Sequence, residues 1–163
     1  MGQTRVAVGH TDQDAQRAAL LANLAADPGL AVVPISPCDA DSVDVDVLVL
    51  GSRGHAQQGA RLCAAVTSAR PDLPVMLIVD TDRPVEVLAG FAAGARGLVL
   101  RATDADTLRS GVRHLAMGHN YVDPALAHAL VQLAVAEHPD PADLTAEENE
   151  TLELLGIGVR RHD

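Results

Sequence analysis

The chain has 163 residues, 48% of them hydrophobic, and carries a formal net charge of -10. That length allows one domain plus an extension, and the acidic balance excludes a nonspecific nucleic-acid surface, which needs clustered Lys and Arg. No apolar run is long enough to span a membrane and no charged-then-apolar leader opens the chain, so a cytoplasmic protein is expected.

The core must be built from Ala, Val and Leu, because Phe91 and Tyr121 are the only aromatics. Small side chains favour close helix–sheet packing and leave little scope for stacking on bases. Cys38 and Cys63 lack metal-type spacing and read as reduced thiols.

In chain order, Thr4–Val8 reads as a β-branched strand. A helix follows from Asp12, as N-cap, to about Ala26, with Leu20, Leu21 and Leu24 on one face. Asp27-Pro28-Gly29 stops it. Leu30–Ile35 and Val45–Leu50 are the next strands. Only SPCDADSVD separates them, less than a parallel crossover usually takes, so the helix between them is expected to be absent or one turn long. That would thin the cover over one sheet face. A helix from about Gln58 to Ala69 ends at Arg70-Pro71. The strand Val75–Val79 precedes a helix that Pro84 opens and Gly94 closes. Gly97–Leu100 is the fifth strand, and Thr103–Met117 a helix closed by Gly118. Strands alternating with helices imply an α/β fold with a parallel sheet covered on both faces. Five strands in this rhythm fit the flavodoxin-like order 2-1-3-4-5.

Past residue 120, Asp123-Pro124 caps a linker helix to about Ala136, with Leu126, Leu130 and Leu133 on one face. His138–Asp143 is a Pro- and Asp-rich linker. Thr145 and Glu148 form a capping box for a last short helix.

The stretch Gly94-Ala95-Arg96-Gly97-Leu98-Val99-Leu100-Arg101, the helix from Leu108 to Met117 and Tyr121-Val122-Asp123-Pro124 resemble the second half of a receiver domain of NarL/FixJ (LuxR-type) response regulators. Leu144-Thr145 and Glu147 to Leu155 resemble the opening of a LuxR-type helix-turn-helix domain. The resemblance implies a CheY-like receiver over residues 1–120, a linker over 121–143, and the truncated start of a DNA-binding domain over 144–163. DNA binding is expected only through such a domain when complete, since no recognition helix lies within these residues.

Carried over position by position, the resemblance implies degenerate chemistry. The acidic pair that would hold Mg²⁺ for phosphoryl transfer falls on His10 and Thr11. The acceptor aspartate falls on Gly51, which has no side chain to phosphorylate. The hydroxyl residue after the fourth strand falls on Val79, the aromatic switch on Leu98 and the lysine on Arg101, where the charge survives. The implied function is an atypical, phosphorylation-independent response regulator in transcription control, not an enzyme, whose receiver serves as a dimerisation and regulatory module.

Two further readings stay open. Arg53, His55, Asp80 and Arg101 should lie around the cleft at the strand C-termini, where open α/β sheets bind ligands, and could hold a small anionic metabolite. Alternatively the chain is a stand-alone protein-interaction module. No cofactor is expected, and no metal, because His10 and His55 lack a third ligand. Leu48–His55 also resembles the nucleotide loop of universal stress proteins, but Cys63-Ala64-Ala65 lacks the glycine and hydroxyl that hold the phosphates there. The faces expected to matter for a homodimer are the linker helix (Leu126, Leu130, Leu133) and the helix bearing Leu108, Val112 and Leu115, the latter three being better read as core.

Overall fold

The computed structural model describes residues 2–10, 14–36, 39–40, 42–51, 56–80 and 83–137. The strands are β1 (Thr4–His10), β2 (Leu30–Ile35), β3 (Val47–Gly51), β4 (Val75–Val79), β5 (Gly97–Leu100) and β6 (Tyr121–Val122). The helices are α1 (Asp14–Ala25), α2 (Ala56–Ala69), α3 (Pro84–Ala92), α4 (Ala105–Ala116) and α5 (Pro124–Glu137). All strands pair in parallel in the order β2-β1-β3-β4-β5-β6. The expected five-strand order therefore holds, with a short sixth strand added beside β5.

The central strands explain their own position. Every residue of β3 and β4 is buried, as uninterrupted Val, Leu, Ile and Met runs require when helices cover both faces. One face packs Val6, Val8, Met76 and Val99 against Leu24 of α1 and Leu108, Val112 and Leu115 of α4. Those last three are core, as the sequence suggests. The other face packs Ala7, Leu48, Leu77 and Leu98 against Cys63 and Val66 of α2, Val87 of α3 and Leu126 of α5.

Between β2 and β3 no α-helix occurs among the described residues, where Asp39 lies in a 3-10 turn. A tight turn replaces it: the Asp39 N–H donates to the Ser36 carbonyl at 2.9 Å and the Ser42 N–H to the Asp39 carbonyl at 3.1 Å. Ala40 and Val45 are buried beneath it, but Val33 stays 45% exposed, so the cover over β2 is thin. Arg5 fastens the segment to β1: its backbone N–H donates to Asp46 at 2.8 Å and its guanidinium pairs with Asp44 and Asp46.

The helix ends follow local chemistry. Pro84 starts α3, and Gly94 follows it at φ +91, a conformation that suits glycine. Asp104 caps α4 by accepting the Thr107 N–H at 2.8 Å. Asp12, the expected cap of α1, lies outside the described residues.

The linker helix departs from expectation. The chain leaves α4, forms β6 along the β5 edge, then lays α5 on the opposite sheet face. Because α4 shares its face with α1, the β5–α4–β6 crossover has the opposite hand to the preceding β–α–β crossovers. Such crossovers are nearly always right-handed. A two-residue β6 supplies few ladder bonds, so helix packing rather than strand pairing sets this path. Residues 105–137 thus wrap the β5 edge on both faces. Leu126 is fully buried in the domain core and Leu130 packs against the same cluster. Neither is offered to a second copy in this conformation, which corrects the reading of that face as lying outside the domain. Leu133 is only half-buried.

Candidate functional site

The C-terminal ends of the parallel strands define the candidate site, and the sheet brings several expected residues to it. Gly51 closes β3, in register with His10 on β1 and Ile78 on β4. Val79 ends β4 and is buried. Leu98 lies on β5, fully buried and lacking any polar group, in register with Leu77. Both hydrocarbon side chains belong to the same core cluster.

Two charged residues leave this edge side by side. Asp80 follows β4 and Arg101 follows β5, and the Arg101 Nε donates to the Asp80 carboxylate. The pair is about one quarter to one third exposed, so its strength is reduced by solvent. Its geometric effect is clear: a cation and an anion expected to line one cleft are joined across it. The Arg101 backbone N–H also donates to Val79 at 2.9 Å, fixing the start of the side chain.

Thr11, Arg53 and His55 lie outside the described residues, as does Ser52; His10 is described only through its backbone. No cluster of three or more His, Cys, Asp or Glu with metal-binding geometry occurs among the described residues. Cys63 is fully buried, and burial pushes its thiol up to about 11, which makes it a core residue rather than a reactive one.

Two features were not legible in the sequence. The first is a cleft of 180 Å³ between α1 and α4, lined among others by Ala19, Asn23, Val99, Arg101, Thr103 and Ala105. The second is the role of Asp123. It caps α5 by accepting the Ala125 N–H at 3.0 Å, as expected, and it also accepts the Leu100 N–H at 3.1 Å. The start of the linker helix is therefore tied to the residue next to Arg101.

No family model matches the chain. It is 30% identical over 114 residues to the probable transcriptional regulatory protein NarL of Mycobacterium tuberculosis, covering 69% of this chain and 53% of that protein. It is 28% identical over 121 residues to the methanol utilization control regulatory protein MoxX of Paracoccus denitrificans, covering 74% of this chain and 54% of that protein. Among solved structures, the signal receiver domain of the putative response regulator NarL from Mycobacterium tuberculosis superimposes with a TM-score of 0.64 at 26% identity, covering 73% of this chain and all of that one. The fold is thus that of a CheY-like receiver domain. The chain's homologues are NarL/LuxR-type response regulators, regulatory proteins and not enzymes, as the sequence resemblance implies. The chain spans about half the length of the curated relatives it matches.

Proposed function

We propose that this protein is an atypical response regulator in transcription control, working without aspartyl phosphorylation, with its receiver-like domain as a dimerisation and regulatory module. The observation that carries the reading is Gly51 at the end of β3 beside a joined Asp80–Arg101 pair. A glycine offers no carboxylate to phosphorylate, and the retained cation is already balanced by an anion. Leu98 and Val79 supply neither the aromatic ring nor the hydroxyl that a phosphate-sensing switch uses.

The module acts in the cytoplasm, and DNA is engaged through a helix-turn-helix domain of which residues 144–163 form the opening. Membrane attachment forms no part of this reading; no described helix is long and apolar enough to cross a membrane. Dimerisation uses the outward side of α5, where Val135 is 60% exposed, since Leu126 and Leu130 pack inward and Leu133 shares their face.

Light scattering on a sizing column, with and without Mg²⁺ and beryllofluoride, tests this. A dimer in both conditions, reduced to a monomer by Val135→Asp, supports it. A monomer that dimerises only with the phosphoryl mimic would show a working acceptor and sink it.

A second reading, a small-ligand sensor, is favoured by Arg101 at the strand C-termini, where open α/β sheets bind ligands. In that reading an anionic metabolite held by Arg53, His55 and Arg101 replaces the phosphoryl signal. A stand-alone interaction module remains the reading if no DNA-binding domain follows.

A further inference from the structure

α1 and α4 each follow a strand of a parallel sheet and return, so they run in the same direction on one face. Two arginines one turn apart on α4 lace it to the C-terminal end of α1. Arg109 donates to the Asn23 carbonyl at 3.1 Å, and Arg113 pairs with Asp27 in the turn after α1. At the N-terminal halves the facing residues are Ala19 and Ala105, whose methyl groups cannot fill the same gap. The result is the 180 Å³ cleft, open toward the strand C-termini. Its floor of Ile78, Val99 and Leu108 is buried and wholly apolar. Its rim is lined by Asn23, Thr103 and Arg101, the last paired with Asp80.

We propose that this cleft binds a small uncharged amphiphile, with an apolar body on Val99 and Leu108 and an alcohol or amide head at Asn23 and Thr103. Size sets the scale: an engineered cavity of about 150 Å³ holds benzene, so this one takes roughly eight non-hydrogen atoms. Charge sets the class. A carboxylate would have to displace Asp80 from Arg101 or lie against a pair with no net charge, and would lose its hydration in doing so. A neutral head that both donates and accepts suits the polar side-chain types of Asn23 and Thr103 on the rim without that cost. The inference deepens the ligand-sensing reading but replaces both its site and its ligand class.

Benzyl alcohol, benzoate and inorganic phosphate serve as probes in amide NMR titrations of the whole chain. Saturable shifts with benzyl alcohol at Asn23, Val99 and Leu108 are expected, with benzoate weaker by about tenfold or more. Ala105→Leu, which fills the cleft from α4, abolishes them. Ala19→Leu, on the more exposed wall, does the same if the first variant folds poorly. Asp80→Asn removes one negative charge beside Arg101 and raises benzoate affinity. Absence of saturable shifts with benzyl alcohol, or shifts unchanged in both leucine variants, overturns the inference. Benzoate binding more tightly than benzyl alcohol overturns the uncharged class. Phosphate shifting Arg101 while benzyl alcohol shifts nothing overturns this inference and leaves the anion-sensing reading standing; silence from all three probes removes both.

Discussion

The Leu100 N–H donates to the Asp123 Oδ2 at 3.1 Å, immediately after the Asp123 N–H has donated to the Leu98 carbonyl at 2.8 Å. Where β6 runs out of backbone, a side chain supplies the next rung of the β5 ladder. The same carboxylate caps α5 through Ala125. One buried residue therefore joins the end of β5, one position before Arg101, to the first turn of the linker helix.

Asp123→Ala leaves the Leu100 and Ala125 N–H groups without this acceptor. Both bonds are only part-buried, so water can replace the lost acceptor in part and a loss of about 1–2 kcal/mol is expected in urea denaturation. Hydrogen exchange should rise in α5 and at Leu100 while α1 keeps its protection. Equal loosening of both helices would contradict a local tie.

Leu126→Ala removes a fully buried side chain from the cluster that includes Leu98 and Val87. A loss of about 2–5 kcal/mol is expected, against less than about 1 kcal/mol for Val135→Ala on the exposed side. Calorimetry on the two variants checks the order. The reverse order would mean that α5 lies elsewhere in solution.

Gly94 holds φ +91, and a Cβ there would meet the Thr67 Oγ1 at 2.9 Å. That hydroxyl already donates to the Ala93 carbonyl at 2.8 Å, which limits its freedom to move. Gly94→Ala should therefore cost about 1–3 kcal/mol. A neutral or stabilising result would show that the α3–β5 turn relaxes readily.

Three carboxylates sit below their usual range. Asp27 is held down first by the Gly29 N–H and then by Arg113, Asp46 first by the Arg5 N–H, and Asp104 first by the Thr107 N–H. A depressed folded-state value stabilises the fold above the ordinary carboxylate value of 3.8. Stability from these groups is therefore expected to be level above about pH 5 and to fall as pH drops through and below about 4. Urea midpoints across pH 3 to 7 measure it. In Asp27→Asn the acid decline should shrink; an unchanged decline would assign it to other groups.

The sequence carried most of the frame. The bounds of Leu30–Ile35, Val75–Val79 and Gly97–Leu100 were legible because each is a short apolar run closed by Pro, Asp, Gly or Arg. Tyr121–Val122 was not, because two residues give no alternation and only the adjacent β5 edge makes them a strand. The apolar face of α5 was visible, but periodicity says that a face needs cover and not what covers it. The α1–α4 cleft depended on two alanines, 86 positions apart, ending up opposite each other, and no local pattern encodes that. Gly51 and Val79 fell at strand ends and Arg101 just past one because strand bounds alone place them, while Leu98 falls within β5.

The wrapped β5 edge bears on self-association. A sheet grows by recruiting strands to a bare edge, and here one edge ends in a two-residue strand. The other is β2, where Pro34 interrupts the row of N–H donors. Neither border offers a long template for fibril-like stacking, despite central strands β3 and β4 made mostly of Val, Leu and Ile. Assembly between copies is thereby steered to helical surfaces, where partners can part again without unzipping a ladder.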